Sequence, residues 1–579
     1  MTAVDTYMNL RAFADELARC GLRDVCTSPG SRSTPLVLTL AREPRLRATS
    51  HIDERSGAFF ALGAAKASGR PVALACTSGT AAANYTPAVI EAYEARVPLL
   101  VLTADRPPEL RELGAGQTID QIKLYGRAAK WFVEVDDHPA TPERVRWLRQ
   151  LACRAYWTAL EGRPGPVHLN FAFREPLVLD GPLPEGEPGG GGREGGRPWV
   201  TRPGRGGGAP APALVEAVGD ELAARPQAIV VAGRSERDPR LGAALAAFAE
   251  LAGFPLLAEP LSGARRGAAA IAHYDALLRD PAWGARRAPE LVIRTGDLPT
   301  SKPLRQWLGG LGEETLQIVV DPENAWQDPA GAAATMLPAD PLALLAALQP
   351  GLPRKPRAKG WLEEWTRDDR AAAGAIASVL GPAGLSEPRI AAELGVRLPE
   401  EATLVVASSM PVRDVETFFP ARAAPPRVLA NRGANGIDGT TSTAFGVAAT
   451  APGPVVLLTG DVALAHDIGG LLAARRPGVA PVTIVLVDND GGGIFAFLPV
   501  AGAGEGYEEH VATAHGLDFA HAAALYGLDH VRVADPERFR EAIDAGLASP
   551  RSTLVHVRTD RAENVTLHRA VWDAVRAAV

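Results

Sequence analysis

The amino-acid sequence predicts an α/β protein with three domains, each a parallel β-sheet flanked by helices. Short apolar runs alternate with longer, alanine-rich stretches along the 579 residues. Strands separated by helical stretches at this spacing form parallel sheets that are covered on both faces. A chain of this length is also too long for one hydrophobic core, which favours several domains.

Two segments of unusual composition divide the chain into these domains. Residues 184–212 are almost entirely Gly, Pro and Arg, and residues 350–359 are rich in Pro, Lys and Arg. Neither segment can bury enough apolar surface to order itself, so both are predicted to be linkers. The predicted domains are therefore residues 1–183, 213–349 and 360–579, each of ordinary domain size.

The predicted strands are the most apolar runs of each domain. They are Val72–Cys76, Leu99–Thr103 and Val167–Phe171 in the first domain, Ala228–Ala232, Leu291–Thr295 and Gln317–Asp321 in the second, and Thr403–Ala407, Val455–Thr459, Val482–Asp488 and Thr553–Val557 in the third. Sheets of this kind bind ligands at the carboxyl ends of their strands, where backbone amides and helix N-termini converge. Functional residues are therefore expected just after these runs.

Charge and cysteine content exclude several classes of protein. The 60 basic and 67 acidic side chains leave a net charge of −7, so no surplus positive charge is available for nucleic acid. The four cysteines contain no C-x-x-C pair, which argues against a zinc site or a disulfide framework and favours a reducing compartment. Residues 1–20 are typical of an amphipathic helix rather than a signal peptide, and the long uncharged stretches 71–90 and 439–460 are broken by polar residues. We expect a soluble cytoplasmic protein without a membrane span.

Polar residues follow two neighbouring apolar strands of the third domain. Asp461 comes directly after one strand, and Asn489 and Gly491 follow the next. A right-handed crossover sets these strands close together, so their ends are expected at the same rim of the sheet. A carboxylate, a carboxamide oxygen and a main-chain carbonyl at Gly491 give three hard oxygen ligands, half of the octahedral shell of Mg²⁺. Alone, a Gly-Asp pair after a strand is more often an ordinary turn; the second strand end at the right spacing favours the metal site.

This pair of strand ends resembles the motif of thiamine diphosphate-dependent enzymes, in which Gly-Asp-Gly is followed one crossover later by Asn-Asn. Two positions differ, with Val462 at the third Gly and Asp488 at the first Asn, whereas the ligand positions Asp461 and Asn489 are kept. The longer patterns GDVALAHD and DNDGGGIFAFLP resemble one branch of that superfamily, the MenD family of menaquinone biosynthesis. The resemblance implies the thiamine diphosphate-binding fold.

Both outer domains carry further segments that resemble the MenD family. They are TSPGSRSTPL at 27–36, HIDERSG at 51–57, TSGTAAANY at 77–85, TADRPPEL at 103–110, GAGQTI at 114–119, ASSMPVRD at 407–414 and NRGANGIDG at 431–439. The middle domain matches weakly, mainly around 296–307. The resemblance implies that the first domain binds the pyrimidine of the cofactor and that the last domain binds its diphosphate with Mg²⁺ or Mn²⁺.

The resemblance also implies which residues activate the cofactor. Glu54 matches the family's glutamate, whose carboxylate lies against pyrimidine N1′ and favours the tautomer that removes the thiazolium C2 proton. Ile437 matches the apolar residue that bends the cofactor into a V. Taken alone, Glu54 could be an acid favoured at a helix N-terminus, and Ile437 a core side chain.

Several cations lie in loops just past candidate strands, which indicates a substrate with more than one carboxylate, since unpaired buried charge is costly. These are Arg32, Arg106, Lys302, Arg413 and Arg432. In the family, such positions contact 2-oxoglutarate and isochorismate. Gln117 and Ser409 would add hydrogen bonds, and Ile494 and Phe495 an apolar wall. The implied catalytic residues are Glu54, Arg32, Gln117, Ser409 and Arg413, and the implied cofactor contacts are Glu54, Ser409, Ile437, Asp461, Asn489 and Gly491.

The resulting hypothesis is a thiamine diphosphate-dependent transferase. It decarboxylates 2-oxoglutarate and adds the resulting four-carbon carbanion to isochorismate. In this fold, the glutamate and the metal-binding aspartate that share one cofactor belong to different subunits, so a homodimer is the minimum assembly and a homotetramer is favoured.

Three alternatives remain open at this point. One is another carboligase of the superfamily, such as an acetohydroxyacid-type synthase acting on pyruvate. A second is a binding protein that kept the fold without catalysis, against which Glu54, Asp461 and Asn489 argue. A third is a nicotinamide oxidoreductase, although the G-x-G-x-x-G at Gly190 lies in the predicted linker with no strand before it.

Overall fold

The computed structural model describes residues 2–202, 209–236, 238–352 and 358–579. Within these residues the strands form three sheets, and every strand pair is parallel. One sheet lies in each of the three predicted domains, with helices on its flanks. The predicted α/β fold is therefore confirmed, and all ten predicted strands are present.

The first sheet has six strands in the order β2-β1-β3-β4-β6-β5. Its strands are β1 (Asp24–Thr27), β2 (Arg47–Ser50), β3 (Val72–Cys76), β4 (Leu99–Asp105), β5 (Trp131–Asp136) and β6 (Val167–Ala172). The accompanying helices are α1 (Ala3–Cys20), α2 (Thr34–Arg42), α3 (Glu54–Ser68), α4 (Thr80–Asn84), α5 (Thr86–Ala95) and α6 (Pro142–Leu160). Strands β3, β4 and β6 are buried along their whole length, which explains their continuous apolar sequences.

The second sheet has five strands in the order β11-β10-β9-β7-β8. Its strands are β7 (Ala228–Ala232), β8 (Leu256–Ala258), β9 (Leu291–Thr295), β10 (Leu316–Val320) and β11 (Thr335–Leu337). The helices of this domain are α7 (Pro212–Ala224), α8 (Arg240–Ala252), α9 (Tyr274–Leu277), α10 (Pro281–Arg286), α11 (Lys302–Gly310) and α12 (Pro341–Leu348).

The third sheet has six strands in the order β13-β12-β14-β15-β17-β16. Its strands are β12 (Thr403–Val406), β13 (Arg427–Ala430), β14 (Val455–Gly460), β15 (Val482–Asp488), β16 (Asp529–Val533) and β17 (Thr553–Arg558). Its helices are α13 (Trp361–Leu380), α14 (Glu387–Arg397), α15 (Met410–Phe418), α16 (Thr440–Ala448), α17 (Asp461–His466), α18 (Phe519–Tyr526), α19 (Pro536–Ala548) and α20 (Arg561–Ala578). Because β14 and β15 are adjacent, with Gly460 opposite Val487, they end at the same rim, as the sequence predicts.

The chain folds into two compact units. The first comprises Met1–Arg205, Asn431–Ala451 and His466–Ala480, and the second comprises Gly206–Ala430, Pro452–Ala465 and Pro481–Val579. Helix α16 therefore packs in the first unit, against α3. Glycines allow this close packing, because a Cβ on Gly63 would collide with the carbonyl of Thr443.

The described part of the 184–212 segment is ordered, contrary to the expectation from its composition. Arg11 donates a hydrogen bond to the carbonyl of Pro184 (2.9 Å), Arg149 pairs with Glu187 (2.7 Å), and the Trp157 indole donates to Val200 (3.1 Å). Hydrogen bonds and ion pairs to α1 and α6 thus replace apolar burial. Residues 203–208 and 353–357 of the predicted linkers lie outside the described residues.

No helix in the described ranges combines the length and the apolar composition that a membrane span requires.

Candidate active site

The sequence-predicted site residues fall into two groups, one in each compact unit. The first unit contains Arg32, Glu54, Arg106, Gln117, Arg432 and Ile437. The second unit contains Lys302, Ser409, Arg413, Asp461, Asn489, Gly491, Ile494 and Phe495.

Asp461 is held rigidly at the end of β14. Its carboxylate accepts hydrogen bonds from three main-chain amides, those of Val462 (2.7 Å), Asn489 (3.2 Å) and Gly491 (2.9 Å). Two of these amides belong to the turn after β15, so the carboxylate joins the two strand ends directly. Burial raises the pKa of Asp461, although the amides of Gly491 and Val462 oppose the shift.

The Asn489 side chain has one satisfied end and one free end. Its amide nitrogen donates to the Glu387 carboxylate (2.9 Å). Its Oδ1 atom is buried and has no hydrogen-bond partner among the described residues. A buried polar atom without a partner is costly unless something else satisfies it. An oxygen beside a carboxylate is what a hard divalent cation needs, so these residues fit Mg²⁺ or Mn²⁺.

Glycine is required in the turn that carries Asn489. Gly491 has φ +139°, and a Cβ there would lie 2.5 Å from the carbonyl oxygen of Ala512. A Cβ on Gly493 would lie 2.7 Å from the amide nitrogen of Asn489. The run of glycines therefore lets the backbone pass close to the site without displacing the asparagine.

Two residues near this rim were not predicted as site residues. His515 places Nε2 3.3 Å from Asp461 Oδ2, and it can bring a ligand atom within 4.8 Å of those of Asp461 and Asp488. Asp488 itself is committed elsewhere, since it accepts from His556 (2.7 Å) and Arg558 (2.8 Å). Burial acts to raise the pKa of Asp488, but these two partners outweigh it and lower the pKa to about 2. His515 lies in a loop with no recognisable motif, so no sequence signal identifies it.

Glu54 is the first residue of α3 and follows its N-cap, Asp53, which accepts from the amides of Arg55 and Ser56. The Glu54 side chain is half-buried. No hydrogen bond or ion pair joins its carboxylate to another residue in the part of the chain that the structure describes. The carboxylate is therefore positioned by the helix start and remains available to a ligand.

Arg32, Arg106 and Gln117 lie together around the turn after β3. Arg106 donates to the Ser78 hydroxyl and to the main-chain carbonyl of Gln117 (3.1 Å), and the Gln117 amide donates to the carbonyl of Ser78 (3.1 Å). Arg32 donates to the carbonyl of Phe173 (2.9 Å). Burial and the nearby charge of Arg32 lower the pKa of Arg106. Arg32 also pairs with the exposed carboxylate of Glu175 (3.2 Å), and two neighbouring cations with this one counter-charge form a site that suits an anionic ligand.

Hydrogen bonds to Glu91 fix the turn that carries Arg432 and Ile437. The buried carboxylate of Glu91 accepts hydrogen bonds from the amides of Gly433 (2.8 Å) and Ala434 (2.7 Å). Arg432 and Ile437 are both half-buried. Glu91 is a supporting residue that no sequence pattern indicates.

Ser409 and Arg413 lie at the start of α15. Ser409 has φ +72°, a strained value for a residue with a side chain, and its carbonyl accepts from the Arg413 guanidinium. Burial and the neighbouring charge of Arg305 lower the pKa of Arg413.

Lys302 is the first residue of α11, and its side chain is exposed. The preceding residue, Ser301, donates to Asp275 (2.7 Å), which also accepts from Thr417 in α15 (3.0 Å). The helices of Lys302 and Arg413 are thus linked through one carboxylate. Ile494 and Phe495 are half-buried in a 3₁₀ turn directly after the glycine run.

Three family models match successive stretches of the chain. Residues 10–124 match the model described as thiamine pyrophosphate enzyme, N-terminal TPP binding domain. Residues 221–406 match the middle domain of thiamine pyrophosphate enzymes, and residues 411–557 match the C-terminal TPP binding domain.

Three relatives are each described as 2-succinyl-5-enolpyruvyl-6-hydroxy-3-cyclohexene-1-carboxylate synthase. The protein from Geobacillus kaustophilus is 44% identical over 97% of this chain and 97% of its own length. The Chloroflexus aurantiacus protein is 43% identical over 98% of this chain and 96% of its own length. The Haloarcula marismortui protein is 42% identical over 95% of this chain and 94% of its own length.

Proposed function

Because the chain belongs to the family of 2-succinyl-5-enolpyruvyl-6-hydroxy-3-cyclohexene-1-carboxylate synthases (MenD), we propose that it catalyses this thiamine diphosphate-dependent step of menaquinone biosynthesis. In this reaction 2-oxoglutarate loses CO₂, and the remaining four-carbon unit is added to isochorismate. The observation that carries the proposal is the rim formed by Asp461 and Asn489. The main-chain amide of Asn489 donates to the fixed carboxylate of Asp461, and the buried side-chain oxygen of Asn489 has no partner among the described residues.

The second unit would hold the diphosphate end of the cofactor. Asp461, Asn489 Oδ1 and the main-chain carbonyl of Gly491 would bind Mg²⁺ or Mn²⁺, with phosphate oxygens and water completing the shell. When bound, thiamine diphosphate supplies a carbon nucleophile and an electron sink for decarboxylation. The protein's part is to fix the cation, because the amides around Asp461 leave its carboxylate little freedom.

The first unit would supply proton transfer. The Glu54 carboxylate has no partner in the described chain, and it would hold a proton shared with pyrimidine N1′ of the cofactor. Ile437, in a turn fixed by Glu91, would set the cofactor's bend.

The cationic loops would bind the substrates. Arg32 and Arg106 repel each other, and Glu175 pairs with Arg32 from an exposed position (3.2 Å), so a substrate carboxylate would add to this counter-charge or replace it. Gln117 and Ser409 would add hydrogen bonds, and Arg413, Lys302 and Arg432 would bind the other carboxylates. Ile494 and Phe495 would form the apolar wall against the ring of isochorismate.

The reaction is tested by supplying the protein with thiamine diphosphate and Mg²⁺ and measuring CO₂ release from 2-oxoglutarate and from pyruvate. We expect 2-oxoglutarate and isochorismate to be consumed together and 2-succinyl-5-enolpyruvyl-6-hydroxy-3-cyclohexene-1-carboxylate to be formed. Turnover of pyruvate without turnover of 2-oxoglutarate would favour an acetohydroxyacid-type carboligase instead. Failure to bind thiamine diphosphate in calorimetry would favour a protein without catalytic function.

We further propose that the active form is cytoplasmic and at least a homodimer, favouring a homotetramer, with Glu54 of one subunit and Asp461 of another sharing each cofactor. The test is to mix two inactive variants, E54Q and D461A, under conditions that exchange subunits. Sharing between subunits predicts that about a quarter of the sites regain activity, because one of the two sites in each mixed dimer is intact. In the rival arrangement a single chain supplies both groups. That rival predicts no recovery, because every chain in the mixture lacks one of the two groups.

A further inference from the structure

Glu387 contacts the proposed metal site from a distant part of the sequence. It is the first residue of α14 and is only 4% exposed. Its Oε1 atom accepts two hydrogen bonds, from the side-chain amide of Asn489 (2.9 Å) and from the hydroxyl of Thr559 (2.9 Å). Three separate segments therefore meet at one carboxylate oxygen.

A side-chain amide needs such a partner to be oriented. The oxygen and nitrogen ends of asparagine have nearly the same shape, so packing alone hardly distinguishes them, and hydrogen bonds must decide. The Oε1 atom of Glu387 accepts both of its hydrogen bonds, so it pairs with the nitrogen end of Asn489, and the oxygen end, which cannot donate, has no bond to make there. The Oδ1 atom of Asn489 is consequently turned away from Glu387 and has no partner within the described ranges.

We propose that Glu387 is a positioning residue that orients the Asn489 amide so that its oxygen is presented to the divalent cation. This inference rests on the proposed function, because it takes Asn489 as a metal ligand. It assigns to Glu387 a role in metal affinity rather than a contact with substrate or cofactor. Such supporting contacts typically change metal affinity by about 10- to 100-fold.

A role in stability alone has a different signature. An acidic side chain at the start of a helix interacts favourably with the helix dipole. The hydrogen bond with Thr559 also connects α14 to the end of β17. If stability were the whole role, replacing Glu387 would lower the melting temperature and leave the affinity of the folded protein for the cation unchanged. Melting temperature and metal affinity therefore have to be measured on the same variants.

The test measures Mn²⁺ affinity of the full-length protein with thiamine diphosphate, from the free Mn²⁺ signal in electron paramagnetic resonance. We expect E387Q to weaken Mn²⁺ binding at least about tenfold, because a glutamine can pair with either end of the asparagine. T559V, which removes the other partner of the same oxygen, serves as the matched control and should stay within about threefold of the wild type. Wild-type affinity in folded E387Q would overturn the proposal.

A second background isolates the orientation effect. In N489D both ends of the side chain are oxygens, so no orientation has to be chosen. Adding E387Q to N489D is expected to leave Mn²⁺ affinity unchanged or to strengthen it, because two neighbouring carboxylates no longer repel each other. An equal loss in both backgrounds would overturn the proposal.

A second variant, E387D, and the wild-type protein itself give two further measurements of Mn²⁺ affinity. If E387Q does not fold, E387D shortens the side chain by one methylene and withdraws the carboxylate from the Asn489 amide, and weaker Mn²⁺ binding is again expected. Unchanged affinity in E387D would then count against the proposal. A wild-type protein that binds no Mn²⁺ with thiamine diphosphate would contradict the proposed function itself, which is a different result from a wild-type site that is insensitive to Glu387.

Discussion

The two groups of site residues are built in opposite ways. At the rim of the third sheet the polar groups satisfy one another, since Asp461 accepts three amide bonds and Asn489 is held by Glu387. The Oδ1 atom of Asn489 has no hydrogen-bond partner in the described part of the chain. In the first unit, by contrast, Arg32 and Arg106 repel each other and Glu54 has no partner in the described chain.

This difference indicates what each half binds. A rigid set of oxygens with one unsatisfied atom is prepared for a cation, whose ligands must be fixed before it arrives. Two neighbouring cations whose ion-pair partner, Glu175, is an exposed side chain can accept an anion such as a carboxylate. Substitutions in the two halves should therefore differ in their effects on catalysis and on substrate binding.

The cation-binding half should tolerate substitution least. We expect D461A to lower turnover by about 10³-fold or more, because the cation loses a fixed ligand and its charge compensation is worth several kcal/mol. Steady-state rates over a range of Mg²⁺ concentrations measure the effect. D573N, an exposed position on α20, is the control and should behave as the wild type. A D461A protein with normal rates at low Mg²⁺ would contradict the assignment.

Glu54 should affect the chemical step and not cofactor binding. We expect E54Q to lower kcat by about 10²- to 10⁴-fold, the range of general acid–base catalysis, while Mn²⁺ and thiamine diphosphate still bind. Rates and cofactor affinity are measured on the same sample, with E94Q at an exposed position as the control. Full activity in E54Q would remove Glu54 from the mechanism.

The anion-binding half should lose substrate affinity with little loss of stability. We expect R106M to raise the KM for a dicarboxylate substrate by about 10- to 100-fold, since a charge-assisted hydrogen bond contributes about 1.5–3 kcal/mol. Its melting temperature should fall only slightly, because the relieved repulsion from Arg32 offsets the lost hydrogen bonds to Ser78 and to the carbonyl of Gln117. A melting temperature that falls markedly while KM is unchanged would show that Arg106 has a structural role only.

The two units should also differ in their response to acid. Burial lowers the pKa of His168 in β6 to about 3, so the folded state keeps this histidine neutral while the unfolded chain binds a proton below pH 6.5. The contribution of His168 to the free energy of unfolding is therefore present at pH 7 and is lost as the pH falls. At pH 5 the free energy of unfolding is lower by about 2 kcal/mol. In the second unit the bond to Asp414 raises the pKa of His568 against the effect of burial, which gives the opposite sign.

Denaturant unfolding at pH 7 and pH 5 measures this response. Between pH 7 and pH 5, the free energy of unfolding of the H168Q variant should decrease by about 2 kcal/mol less than that of the wild type. An identical loss in both proteins would show that His168 does not contribute to the acid sensitivity.

Sequence reasoning succeeds where a local pattern determines the geometry. The crossover rule places Asp461 and Asn489 at one rim, and the adjacency of β14 and β15 confirms this arrangement. The ten long apolar runs are strands because burial on both faces demands continuous Val, Ile and Leu. Short or polar strands such as β2 and β16 escape prediction, since most of their side chains are exposed or half-exposed and carry no apolar pattern.

Residues that act through tertiary contacts are not predictable from the sequence. Glu387 reaches Asn489 across 102 positions, and Glu91 reaches Gly433 across 342. His515 comes near Asp461 through a loop without a motif. The order of residues 184–202 likewise depends on partners in α1 and α6, and composition alone does not reveal them.

The central claim is that the ends of β14 and β15 bind a divalent cation through Asp461 and Asn489. Its most direct test is the anomalous scattering of Mn²⁺ in crystals of the protein grown with thiamine diphosphate. We predict one ion bound by a carboxylate oxygen of Asp461 and by Oδ1 of Asn489, at about 2.0–2.3 Å from each. An ion bound away from these two atoms, or an Asn489 amide nitrogen facing it, would contradict the account.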